Sequence, residues 1–146
     1  MKRKNFLIVL LLVLAVYLSG CSGGIVTPNA YEVGGDFYVC ENLLRGFYTA
    51  ISNRNYAQAL SYCKPGGSSF EFVNDIWNLD QQYPTTYITC QVYNVYDFSY
   101  IGQSRISLHY DFSDTAHDIY GGTYNTNYHY GATALFEKVN GEWKLF

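Results

Sequence analysis

Charge is scarce in this chain. Asp, Glu, Lys and Arg make up 14% of its 146 residues, and nine basic residues face twelve acidic ones. A nucleic-acid partner or an anionic surface is normally met by a basic face, so this balance argues against both. Also missing are the compact signatures of familiar chemistries. There is no P-loop, C-x-x-C pair or H-E-x-x-H. No internal repeat occurs. The one long apolar run, Phe6 to Leu18, has 13 residues, short of the roughly 17–25 that a membrane-spanning helix needs. What is abundant is aromatic: 18% of the chain, with 16 tyrosines. Tyrosine tolerates burial and exposure alike, which suits a β-rich surface or a binding face without choosing between them.

The apolar run follows Lys2, Arg3 and Lys4 and closes on Leu18-Ser19-Gly20-Cys21. A basic start, a short apolar core and small residues before a cleavage point are the three parts of a secretory signal. Its last four residues resemble the lipobox of bacterial lipoproteins. That resemblance implies cleavage before Cys21 and lipidation of its thiol by a diacylglycerol. Two or three acyl chains, palmitate among them, would then hold the protein firmly, since one chain binds only marginally. Ser22 to Asn29 reads as a flexible tether. The expected organisation is a signal over 1–20, lipidated Cys21 and tether over 21–35, and one domain over 36–146. The expected location is the extracytoplasmic face of the cell membrane, and Ser22, not an aspartate retention signal, leaves the outer membrane open.

Beyond the tether the spacing is helical. Asp36 is a candidate N-cap, and Phe37, Cys40, Leu44, Phe47 and Ile51 recur on one face of a helix over about 37–53. Asn55 caps a short second helix through Cys63, ended by Pro65-Gly66-Gly67. Ser68-Ser69-Phe70-Glu71 has the form of a capping box and opens a third helix with Phe70, Val73, Ile76 and Trp77 on its buried stripe, stopping before Pro84. From Thr85 the period becomes two. Ile88, Cys90, Val92, Tyr96, Phe98 and Tyr100 share one face. After a turn at Gly102-Gln103, Ile106, Leu108, Tyr110 and Phe112 share another. Ser113 to Asp118 reads as a polar loop, and Tyr128, Tyr130, Ala132, Ala134 and Phe136 as one face of a further strand. Asn140-Gly141 is a strong hairpin signal into a last strand at 142–146. The order is α+β: helices, then an antiparallel sheet.

Three short motifs, Phe47-Tyr48-Thr49-Ala50-Ile51, Asn55 to Leu60, and Phe136 to Leu145 with its G-x-W-K ending, resemble the NTF2-like (cystatin-type cone) superfamily, in particular its small DUF4878-like lipoprotein branch. The resemblance implies a curved sheet wrapped around the first helix with a cavity between them. Enzymes of that superfamily usually carry a hairpin between the helices, and here the third helix follows the second directly. Three cysteines remain after Cys21, so three pairings are possible outside the cytoplasm. The second helix is too short to bring Cys63 to Cys40, and Cys90 sits on an inward strand face. Cys63–Cys90 is the favoured bridge, with three buried free thiols as the alternative.

The densest polar cluster is His109, Asp111, Asp114, His117 and Asp118, with His129 later. Such a set can bind zinc or supply a base and its orienter. Strict alternation, however, puts His109 and Asp111 outward, Asp114 to Asp118 in a loop, and His129 on the surface. The inward faces then hold no Asp, Glu, His or Lys. No metal, cofactor or catalytic residue is expected. The expected function is a non-catalytic, membrane-anchored domain that binds a small apolar ligand or an envelope protein, with Phe47, Tyr96, Tyr110 and Tyr130 around the ligand. One alternative is an isomerase or hydrolase using His109, Asp111 or Tyr110. Another is a glycan-binding surface built on tyrosines such as Tyr87, Tyr93 and Tyr124, with Trp143 nearby.

Overall fold

Apolar residues three and four apart wind the first part of the domain into helices, and the sheet that follows closes over them. The computed structural model describes residues 33–146. The signal-like segment, the lipidation at Cys21 and the tether up to residue 32 lie outside the described residues. Helix α1 (Val33–Ser52) begins inside the expected tether, so Asp36 falls within its first turn and does not cap it. Its buried stripe is Cys40, Leu44, Phe47, Tyr48 and Ile51, the spacing of one helical face. Asn55 caps α2 (Tyr56–Tyr62) by accepting the Gln58 N–H at 3.2 Å.

Helix α3 (Ser68–Gln82) ends before Pro84, as expected. The capping box does not form. Ser68 and Ser69 instead donate their hydroxyls to the main-chain oxygen of Phe146, at 3.1 and 2.6 Å. Gly67 admits that contact, because a Cβ there would meet the Phe146 backbone at 2.9 Å. The buried residues of α3 are Phe72, Val73 and Ile76. Trp77 is exposed and stacks on Tyr56.

Strands β1 (Thr86–Ile101), β2 (Arg105–Asp118), β3 (Thr123–Val139) and β4 (Glu142–Leu145) form one antiparallel sheet in sequence order. The sheet curls as a half-barrel against the helices. Ile106, Leu108, Tyr110, Phe112, Ala134 and Phe136 of its concave face join the α1 stripe in one core. Trp143 is also buried, so it is no part of an exposed aromatic face.

Two features depart from strict alternation. Ser113 to Asp118 is not a loop but the second half of β2, paired on both sides: Ser113 with Gln91 and Tyr128, Asp114 with Cys90 and Asn127. A ladder on each edge outweighs the poor strand propensity of its polar residues. The second feature is a set of β-bulges. On β1 an extra residue falls between Val92 and Asn94, and another between Tyr96 and Ser99. The first turns Val95 inward and Tyr96 outward; the second restores the phase, so Tyr100 pairs with buried Ile106. On β3 an extra residue falls between Ala132 and His129, opposite Asp111. A one-residue slip moves each following side chain to the other face.

Cys40, Cys63 and Cys90 are all free, so the favoured Cys63–Cys90 bridge is not formed. The topology explains why. Cys63 bridges to Leu145 of β4, whereas Cys90 lies on β1, at the opposite edge of the sheet. Three strand spacings of about 4.8 Å separate those edges, well beyond the roughly 7 Å that a disulfide spans between Cα atoms.

Candidate functional site

The β3 bulge decides which polar groups face the core. Gly131 takes φ +66° there, a left-handed conformation that glycine adopts freely. Ala132 and Ala134 stay on the concave face. Past the bulge, the residues that share that face become His129 and Asn127, not Tyr128 and Tyr130. Tyr128 and Tyr130 turn outward, with relative exposures of 60% and 78%. His129 lies opposite buried Phe112, and Asn127 opposite Asp114. On β2 the inward alternation Leu108, Tyr110, Phe112 continues to Asp114 because the strand does not stop.

Asp114 and His129 form a carboxylate–imidazole pair, Nε2 to Oδ2 at 2.5 Å, with side-chain exposures of 7% and 23%. The other carboxylate oxygen accepts the Asn127 amide at 2.9 Å, and Asn125 donates to the Asn127 side-chain oxygen at 2.8 Å. Phe112 stacks on the imidazole with ring centroids 4.3 Å apart and planes 14° apart. A carboxylate only accepts, so the imidazole must donate through Nε2, and in the neutral ring Nδ1 keeps the lone pair. The pair thus fixes the tautomer and the plane of the ring.

Below the pair the face is aromatic and protonated. Tyr48 and Tyr110 share a hydrogen bond between their hydroxyls at 2.7 Å, and Tyr48 also stacks on Phe112. Burial pushes the Tyr110 hydroxyl up to about 12. Burial, reinforced by Tyr110, holds Tyr48 well above the usual phenol range. Cys90, across the ladder from Asp114, has its thiol pushed up by burial and then by the Asp114 charge. The raised values keep the two phenols and the thiol in their neutral, protonated forms near neutral pH.

The remaining residues singled out in the sequence are dispersed. Phe47 and Tyr110 are buried in the core. Tyr96 and Tyr130, expected to share a ligand pocket with them, are on the convex face, because the bulges shift their phase. Tyr96 donates to Asp111 at 3.1 Å. His109 lies on that face near Asp97, and His117 bonds Thr89 at 2.8 Å and stacks on Tyr87. Asp118 caps its turn by accepting the Tyr120 and Gly122 N–H groups. Tyr93 leans on Tyr128 and bonds Ser113, while Tyr124 reaches Asp118. Among the described residues, no group of three or more His, Cys, Asp or Glu is placed to hold a metal ion. Sequence reasoning missed Asp114, Asn127 and His129 as a set. The available signal was Gly131, a lone glycine inside a strand pattern, which marks a bulge.

No family model matches this chain, and no curated protein does. Solved structures do. A protein of unknown function with a cystatin-like fold from Nostoc punctiforme aligns with TM-score 0.53 and 11% identity, covering 77% of this chain and 86% of its own. An NTF2-like protein of unknown function from Prochlorococcus aligns with TM-score 0.52 and 15% identity, over 76% and 88%. A hexachlorocyclohexane dehydrochlorinase from Novosphingobium barchaimii aligns with TM-score 0.54 and 12% identity, over 75% and 81%. At such identities the likeness speaks to architecture alone. Among the described residues, three helices followed by a curled antiparallel half-barrel make this an NTF2-like, cystatin-type fold.

Proposed function

We propose that this protein is a lipid-anchored, extracytoplasmic domain whose concave face holds a small, largely apolar ligand through a hydrogen bond to His129. The observation that carries the reading is the Asp114–His129 pair, at the edge of an aromatic wall and partly open to solvent. Apolar lining with a few fixed polar groups is the usual build of a small-molecule site. Asp114 orients the ring and, in its neutral form, leaves Nδ1 as the acceptor, so the matching ligand is a largely apolar molecule that brings a hydroxyl donor. Attachment rests on Cys21 in this reading. Among the described residues no helix is long and apolar enough to cross a membrane.

Phenol is the simplest probe. Titrated into 15N-labelled protein, it should shift the His129 and Phe112 signals, and His129→Gln should weaken that binding about tenfold. Equal binding to both proteins, or shifts confined to the convex face, would overturn the reading. Mass spectrometry of protein from native membranes tests the anchor separately: the peptide that starts at Cys21 should carry acyl chains, and an unmodified Cys21 would contradict it.

The same pair favours a second reading, proton transfer, with His129 as base and Asp114 as its orienter. A dehydrochlorinase among the structural neighbours shows that this fold can house catalysis. Wild-type protein should then exchange the α-protons of cyclohexanone in D2O faster than His129→Gln. Equal rates leave binding alone.

A further inference from the structure

The groups that point His129 inward lie on the other side of the sheet. Asp111 is on the convex face, level with the β1 bulge and the β3 bulge at once. One of its oxygens accepts the Gly131 N–H at 3.0 Å and the Tyr96 hydroxyl at 3.1 Å. The other accepts the Asn94 amide at 3.0 Å. One carboxylate thus ties the bulged residue of β3 to two side chains that follow the bulge of β1. At a bulge the extra residue falls out of the ladder, and an unpaired N–H there would favour slippage. Slippage by one residue would return His129 to the convex face and Tyr130 to the concave one.

We propose that Asp111 is the positioning residue of the candidate site: its carboxylate holds the Gly131 bulge and thereby keeps His129 beside Asp114. The inference rests on the site reading above only for its functional meaning. The same three hydrogen bonds, led by Asn94 and then Gly131, hold the Asp111 carboxyl below the usual carboxylate range.

The first test uses unaltered protein. The Gly131 amide should exchange with solvent at least about a hundredfold more slowly than a free chain; exchange at the free rate would overturn the proposal. The second reads the His129 imidazole by long-range 1H–15N correlation. Asp111→Ala should move those signals away from the Asp114-bonded pattern, and Asp111→Asn, which keeps an acceptor for Gly131, should largely restore it. Thr115→Val, which breaks the Thr115–Thr126 hydroxyl pair on the same face, should leave the imidazole unmoved. An unchanged imidazole in folded Asp111→Ala overturns the proposal. If that variant does not fold, Gly131→Ala takes its place. A Cβ there meets only the Tyr96 hydroxyl, at 3.8 Å, so its effect comes through φ; it too should displace the imidazole, and an unmoved imidazole counts against the proposal. A displaced imidazole supports positioning whether or not phenol binding changes, so the two readings fail separately.

Discussion

Trp143 Nε1 donates to Asp36 Oδ1 at 2.9 Å, fastening the last strand to the first turn of the first helix. The second oxygen of Asp36 accepts the Tyr100 hydroxyl of β1, also at 2.9 Å. One carboxylate therefore joins the two edge strands of the sheet through α1. A hydrogen bond to a charged group contributes about 1.5–3 kcal/mol. Asp36→Ala should lower stability by about 2 kcal/mol in urea unfolding, and Tyr100→Phe by less. Asp36→Ala at wild-type stability would show the clasp to be idle.

The three free cysteines give a chemical prediction. Burial pushes the Cys40 and Cys63 thiols up to about 12 and raises Cys90 as well. Since the thiolate is the reactive form, all three should react slowly with Ellman's reagent in native protein and promptly in denaturant. Failure of Cys63 and Cys90 to react in denaturant without reductant would restore the bridge and contradict the topology.

Tyr48 and Tyr110 satisfy each other in the interior. Tyr110→Phe strands the Tyr48 hydroxyl and should cost about 1–3 kcal/mol, whereas removing both hydroxyls should cost less than the two single changes together. Additive losses in urea unfolding would argue against the pairing. Their pH dependence follows from the raised values: the protonated phenols fit the fold, so this contribution is complete below about 10, the ordinary phenol value. It is lost as pH rises through about 12, the value for Tyr110. Phenolate absorbance should show these two titrating only with alkaline unfolding.

The acid side has the opposite sign. Asp111 and Glu137 lie below their ordinary values of 3.8 and 4.5, the first held there by Asn94 and Gly131, the second by Lys64 and Arg105. Folding favours their charged forms. Their contribution is complete above those ordinary values and fades as pH falls through the depressed ones. Asp111→Asn with Glu137→Gln should flatten the loss of thermal stability below about pH 4; an unaltered acid limb would contradict it.

Which parts were legible in the sequence follows from what each signal encodes. Leu44, Phe47 and Ile51 gave the first helix, and Ile106, Leu108 and Tyr110 the core strand, because one period ran unbroken through each. Asn140-Gly141 marked its turn through backbone chemistry alone. The site was hidden because period-two reading assumes a continuous ladder. Asp114 looked like loop until β1 and β3 paired on either side of it. His129 looked exposed until the extra residue at Gly131 reversed its face. Neither fact is local, so no window along the chain contains it.

The facing of His129 is the central claim, and a soluble paramagnetic agent tests it in one spectrum. The Tyr128 and Tyr130 ring signals should broaden strongly, while the His129 imidazole broadens far less and shifts as phenol is added. Strong broadening at His129 with protected Tyr130, and no response to phenol, would contradict it.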